Sequence, residues 1–160
     1  MDFPLENPIL AGQQSITHTA TDAKPRNVSR HGNPHEMNQL IPKHKFDIET
    51  AEKLNEYSIE ELRPIIPALL EWLQDCNWPV SYPVRLFLEK HVAEIQNEIV
   101  DVFKTNDNLW KYWILLNLGK GINDERLIAE IKRLASNPTE LEKAEELDEI
   151  SKELIVDKGW

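Results

Sequence analysis

Between Ile59 and Leu73 the apolar residues return at steps of three and one: Ile59, Leu62, Ile65, Ile66, Leu69, Leu70 and Leu73. That spacing places them along one side of a helix of 3.6 residues per turn and on no single face of a strand. Similar stripes recur at Val92, Ile95, Ile99, Val102 and Phe103, and at Leu127, Ile128, Ile131 and Leu134. A chain patterned in this way has to bury several amphipathic helices against one another. Only five of its 160 residues are glycine, which leaves little material for a fold of many tight turns. The pattern therefore predicts an all-α fold.

Start and stop signals divide the pattern into about seven helices joined by short loops. Asp47 is the expected N-cap of the first, with Phe46 and Ala51 at the two staple positions and Ile48, Ala51 and Leu54 as its apolar face. Ser58 and Glu61 have capping-box spacing. Pro64 and Pro67 interrupt the stripe that follows, so either the helix kinks there or it starts at Pro64, where a first turn tolerates proline. Trp78-Pro79 opens the next helix, which Pro83 bends or delays. After Asn106-Asp107-Asn108, residues 109–118 are apolar on nearly every side and are expected to lie centrally. Gly119 and Gly121 end that helix, and Asn123 or Asp124 caps its successor. Ser136-Asn137-Pro138 precedes a last helix holding Leu141, Ala144, Leu147, Ile150 and Leu154.

A weak repeat runs through these helices. Leu62, Ile65, Leu69, Leu70, Trp72 and Leu73 match Val92, Ile95, Ile99, Val100, Val102 and Phe103 at an offset of 30. Past the loop, Asp75, Trp78 and Leu86 match Asp107, Trp110 and Leu118 at an offset of 32. Two helices per unit at this period predict stacked antiparallel helical hairpins. Such a short solenoid has units more compact than HEAT repeats of roughly 40–47 residues.

Residues 1–36 differ from the rest. They are rich in Asn, Gln, Ser, Thr, His and Pro, lack apolar periodicity, and read as a flexible polar extension ahead of a helical domain over 37–160. Met37 is an alternative start for the chain, and Phe3, Leu5, Ile9 and Leu10 form a small apolar cluster that either docks or has no role.

The formal charge is −10, of which residues 40–160 carry −9. A surface of that sign repels phosphate, so nucleic acid and anionic membranes are expected non-partners and a basic protein is the easier one. Cys76 is the only cysteine, no apolar run approaches the roughly 20 residues that span a bilayer, and Met1-Asp2-Phe3-Pro4 does not open like a secretory signal. These features together point to the cytoplasm.

Several segments resemble a bacterial family known as domain of unknown function 5071. They are Leu40-Ile41-Pro42-Lys43 with Phe46-Asp47, Leu69 through Asp75 with Asn77-Trp78-Pro79-Val80, Trp110-Lys111-Tyr112-Trp113, and Asn137-Pro138-Thr139. The likeness covers residues 40 to about 155, and its two tryptophan segments are the most specific parts. The resemblance implies a HEAT-like helical fold and brings no catalytic residues with it. Small helical domains of this sort sometimes serve as immunity proteins beside bacterial toxins, an association and not a mechanism.

No catalytic, cofactor or metal-binding set stands out. His31 and His35 are four apart, but Gly32 and Pro34 between them forbid a regular helix, and His91 ends a helix where a cation suits the dipole. Cys76, beside Asp75 at a helix C-terminus, is expected to have a raised pKa. The chain lacks a Gly-rich phosphate loop, a nucleophile elbow and a paired-histidine zinc motif.

The tryptophans are the most distinctive residues, as core packing or as interface anchors. Candidate partner contacts are Trp78, Arg85, Lys111, Tyr112, Glu145 and Glu149, with Arg85 alternatively bracing Asp75 or Asp107. Glu142–Glu146, Glu145–Glu149 and Glu149–Glu153 are like-charge pairs at helical spacing in the acidic last helix, which a basic partner would relieve or which simply face solvent. The expected function is a non-catalytic protein-interaction module. The alternatives are a toxin-neutralising immunity protein and a hydrolase or transferase with a site in a helical cleft.

Overall fold

The computed structural model describes residues 34–160, and among them every regular element is helical. Residues 1–33 of the polar extension, with its apolar cluster and His31, lie outside these residues, while residues 34–36 open the first helix. The chain is all-α. Helix α1 spans Pro34–Met37, α2 Ile48–Glu52, α3 Ile59–Leu62, α4 Ile66–Glu71 and α5 Ser81–Glu89. Then come α6 Gln96–Phe103, α7 Asn108–Leu118, α8 Glu125–Ser136, α9 Glu140–Ala144 and α10 Leu147–Lys158.

Side-chain caps explain the starts of α2, α3, α7 and α8. Asp47 accepts from the Thr50 amide and Asp107 from that of Trp110, at 3.4 and 2.9 Å. Ser58 and Glu61 close a reciprocal capping box, and Asp124, not Asn123, caps α8. Each cap satisfies donors that a helix start leaves unbonded.

The prolines act as punctuation. Pro64 sits in a 3-10 turn over Arg63–Ile65, and Pro67 lies in the first turn of α4. The stripe is thus split into α3 and α4 rather than continued or begun at Pro64. Pro83 lies in the first turn of α5, which starts at Ser81, so its start is delayed past Trp78-Pro79.

Two expectations fail locally. Phe46 and Ile48 are exposed, so no staple forms and only Ala51 and Leu54 of that helical turn reach the core. Lys45 sits over the Phe46 ring instead, 5.2 Å from its centroid. The acidic last helix is two helices, because Glu146 adopts a left-handed conformation (φ 57°) between α9 and α10. Leu141 is exposed as a result, while Leu147, Ile150 and Leu154 stay buried.

One hydrophobic core runs from Met37 to Leu154 and includes Leu62, Leu69, Phe87, Ile99, Ile114 and Ile131. Within it α4 lies against α6 and α5 against α7; α8 and α10 form the most extensive pairing, and α10 also covers one side of α7. Gly119 and Gly121 allow two close approaches after α7. A Cβ on Gly119 would stand 2.7 Å from Leu154 Cδ1, and one on Gly121 would stand 2.7 Å from Val92 Cβ.

Candidate functional site: the outer face of α7

Helix α7 is apolar around most of its circumference, and its neighbours cover only part of it. Lys111, Ile114, Leu115 and Leu118 face the core at helical spacing. Leu109, Trp113 and Leu116 follow at i, i+4 and i+7 on the opposite side, with Leu109 and Leu116 43% and 45% exposed. Tyr112 and Trp113 are half-buried and meet edge to face at 5.4 Å. A helix with two apolar faces was expected to be enclosed; here one face is left at the surface.

On one flank of that face lies a cluster from the α4–α5 loop and α5. Trp72 and Trp78, both half-buried, stack edge to face at 5.5 Å. Ser81 donates to the carbonyls of Trp72 and Asp75 at 2.6 and 3.0 Å, which fixes the loop against the start of α5. Asn117 of α7 donates to the Trp113 carbonyl at 2.7 Å and to Cys76 Sγ at 3.5 Å. Burial pushes the Cys76 thiol up to about 11, with Asp75 adding to the rise and Arg85 opposing it. A thiol in that state is a poor nucleophile at neutral pH.

On the other flank α10 and α7 enclose an apolar groove of about 610 Å³, walled by Leu115, Leu116, Ile150, Leu154 and Val156. Val156 is 83% exposed. Lys120, Lys152, Glu153 and Asp157 rim it. The two lysines have partners, Lys120 with Asp157 at 3.7 Å and Lys152 with Asp148 at 2.6 Å.

The sequence-derived candidates divide along these lines. Trp78 is half-buried in the aromatic cluster with Trp72, Tyr112 is half-buried on α7 against Trp113, and Glu145 and Glu149 are exposed, at the end of α9 and in the first turn of α10. Lys111 is corrected: it is 6% exposed, on the same stripe as Ile114 and Leu118, and its Nζ bonds to Asn108 at 3.4 Å, so it is not offered to a partner. Arg85 braces neither Asp75 nor Asp107. It lies 3.8 Å from Glu89 and over the Tyr82 ring at 5.2 Å. The tryptophans at 72, 78, 110 and 113 are all half-buried, and the first three pack against the hydrophobic core. Trp110 donates its Nε1–H to the Leu70 carbonyl at 3.0 Å, tying α7 to α4.

Two structural clamps escaped the sequence reading. Gln96 donates to the Val92 carbonyl at 2.6 Å and accepts from the Asp124 amide at 3.1 Å, joining the start of α6 to the start of α8. Arg133 pairs with Glu130 at 2.7 Å and with buried Glu142 at 2.6 Å, joining α8 to α9. The Arg133 guanidinium, helped by the Thr139 amide, holds the Glu142 carboxyl down at about 2. The Thr139–Glu142 capping-box spacing is the sequence signal that marks this position. Among the described residues no helix is long and apolar enough to cross a membrane, and no group of three or more His, Cys, Asp and Glu is placed to hold a metal ion.

No curated protein matches the sequence. The pattern of one family does match, over residues 40–155, a span that contains both tryptophan segments and every element from the turn before α2 into α10. The chain belongs to the family described as domain of unknown function (DUF5071).

Proposed function

We propose that this is a non-catalytic protein-binding module acting in a reducing, cytoplasmic setting. Its binding surface is the outer face of α7 with the groove beside it. The observation that carries this reading is the exposure of Leu109 and Leu116 on a helix whose opposite face is already in the core. Exposed apolar residues are ordinary when scattered; a contiguous strip beside a groove marks an interaction surface. The contacts of α4 with α6 and of α5 with α7 support a stack of two hairpin units, the scaffold on which helical-repeat proteins display such faces.

The strongly shifted acids fit a binding role better than a catalytic one. Glu142 and Asp124 are both held down to about 2 by a neighbouring guanidinium, so they stay ionised as structural pairs. A general acid near neutral pH needs the opposite shift. The test is affinity capture from the native host with wild type and Leu116→Glu side by side. A partner retained by wild type and lost by the variant, with circular dichroism unchanged, supports the reading; equal recovery by both removes it.

A second reading, a toxin-neutralising immunity protein, rests on the charge of −10 in a chain of 160 residues. Co-expression with the product of the neighbouring gene tests it: growth restored by this protein favours it, and a harmless neighbour ends it.

A further inference from the structure

From the groove between α7 and α10 we infer the class of partner: an amphipathic α-helix whose apolar face is bordered by basic residues. The inference rests on the proposed binding role of this face and deepens it. The groove is walled by aliphatic side chains from two helices, the shape that accepts the apolar side of a third. Helix α10 has 12 residues, so it offers about 18 Å of wall, three turns of a partner helix.

Charge selects among occupants. Both rim lysines are already neutralised, Lys120 by Asp157 and Lys152 by Asp148. Glu149 and Glu153 are exposed, sit one helical turn apart on α10, and have no ion-pair partner among the described residues. Glu153 lines the groove itself. Two like charges at i, i+4 repel each other, and a cationic side chain laid between them relieves that repulsion. A second copy of this chain would bring the same unpaired acids and a net charge of −10 against them, so it is the disfavoured occupant.

The experiment uses the full chain and a fluorescent model peptide of about 18 residues, with leucines on one helical face and lysines along its borders. Fluorescence anisotropy compares it with a glutamate-bordered peptide and with a scrambled peptide of the same composition. The expected result is binding of the lysine-bordered helix alone, weakened at least about tenfold by Leu116→Glu and by Glu149→Lys/Glu153→Lys. The double variant Glu52→Lys/Glu56→Lys makes the same charge change outside the groove and is expected to leave the affinity within about twofold.

Equal weakening by both double variants would overturn the inference, since the peptide would then be responding to net charge. So would binding of the scrambled peptide, or a wild-type dimer in sedimentation that Leu116→Glu dissociates. If Leu116→Glu still abolishes partner capture while the lysine-bordered helix fails to bind, the partner class is wrong and the binding face stands. If Leu116→Glu leaves capture intact, the proposed function itself falls.

Discussion

At the scale of single residues, the Arg133–Glu142 pair shows how a charge run hides a structural contact. Glu142 is one of many acids near the C-terminus, but it is 7% exposed and closes a capping box with Thr139 while it accepts from Arg133. Its folded-state pKa, about 2, lies below the ordinary 4.5. The ionised carboxylate therefore contributes stability that is fully present above about pH 4.5 and lost as pH falls through about 2. Because Arg133 is partly exposed, the contribution is on the order of 2 kcal/mol. Chemical denaturation of wild type and Glu142→Gln across pH 2–6 is expected to show the gap between them close as pH falls. A gap of constant size would mean that the ionised form contributes nothing.

At the scale of elements, the turn after α7 decides how closely α7, α10 and the segment before α6 approach. Gly121 faces Val92 at its Cβ, a branched atom close to the backbone that cannot swing aside. Gly119 faces the far end of Leu154, which can move toward the groove. Gly121→Ala is therefore expected to cost about 1–3 kcal/mol in urea denaturation, and Gly119→Ala less. The reverse order would show that the Val92 contact relaxes more easily than a β-branched side chain allows.

This scale also shows where local pattern stops informing. The caps at Asp47, Ser58, Asp107 and Asp124 are legible because each satisfies backbone donors within three residues of itself. The break at Glu146 is not, since the acids around it have helical spacing; the left-handed turn there is followed by Leu147 and Ile150, which are buried in the core.

At the scale of the whole molecule, the buried residues from Met37 to Leu154 form one connected cluster. Long-range hydrogen bonds such as that from Trp110 to the Leu70 carbonyl tie α7 to α4. The expected consequence is a single cooperative unfolding transition, with tryptophan fluorescence and far-ultraviolet circular dichroism coinciding. Separate transitions would mean that parts of this core melt independently.

The sequence by itself determined that the chain is helical, where the capped helices α2, α3, α7 and α8 begin, and which aliphatic stripes are buried, because those properties depend on neighbours within a turn or two. It also marked α7 as unusual, apolar on more sides than one amphipathic helix needs. Which of those sides stays open was settled only by tertiary packing. Helix α10, set apart from α9 by the turn at Glu146, covers one flank of α7 and leaves Leu116 and Val156 facing a groove. The burial of Lys111 follows from the same rotation of α7, which no local spacing specifies. Burial depends on what the rest of the chain brings against a helix, and that is a property of the assembled fold.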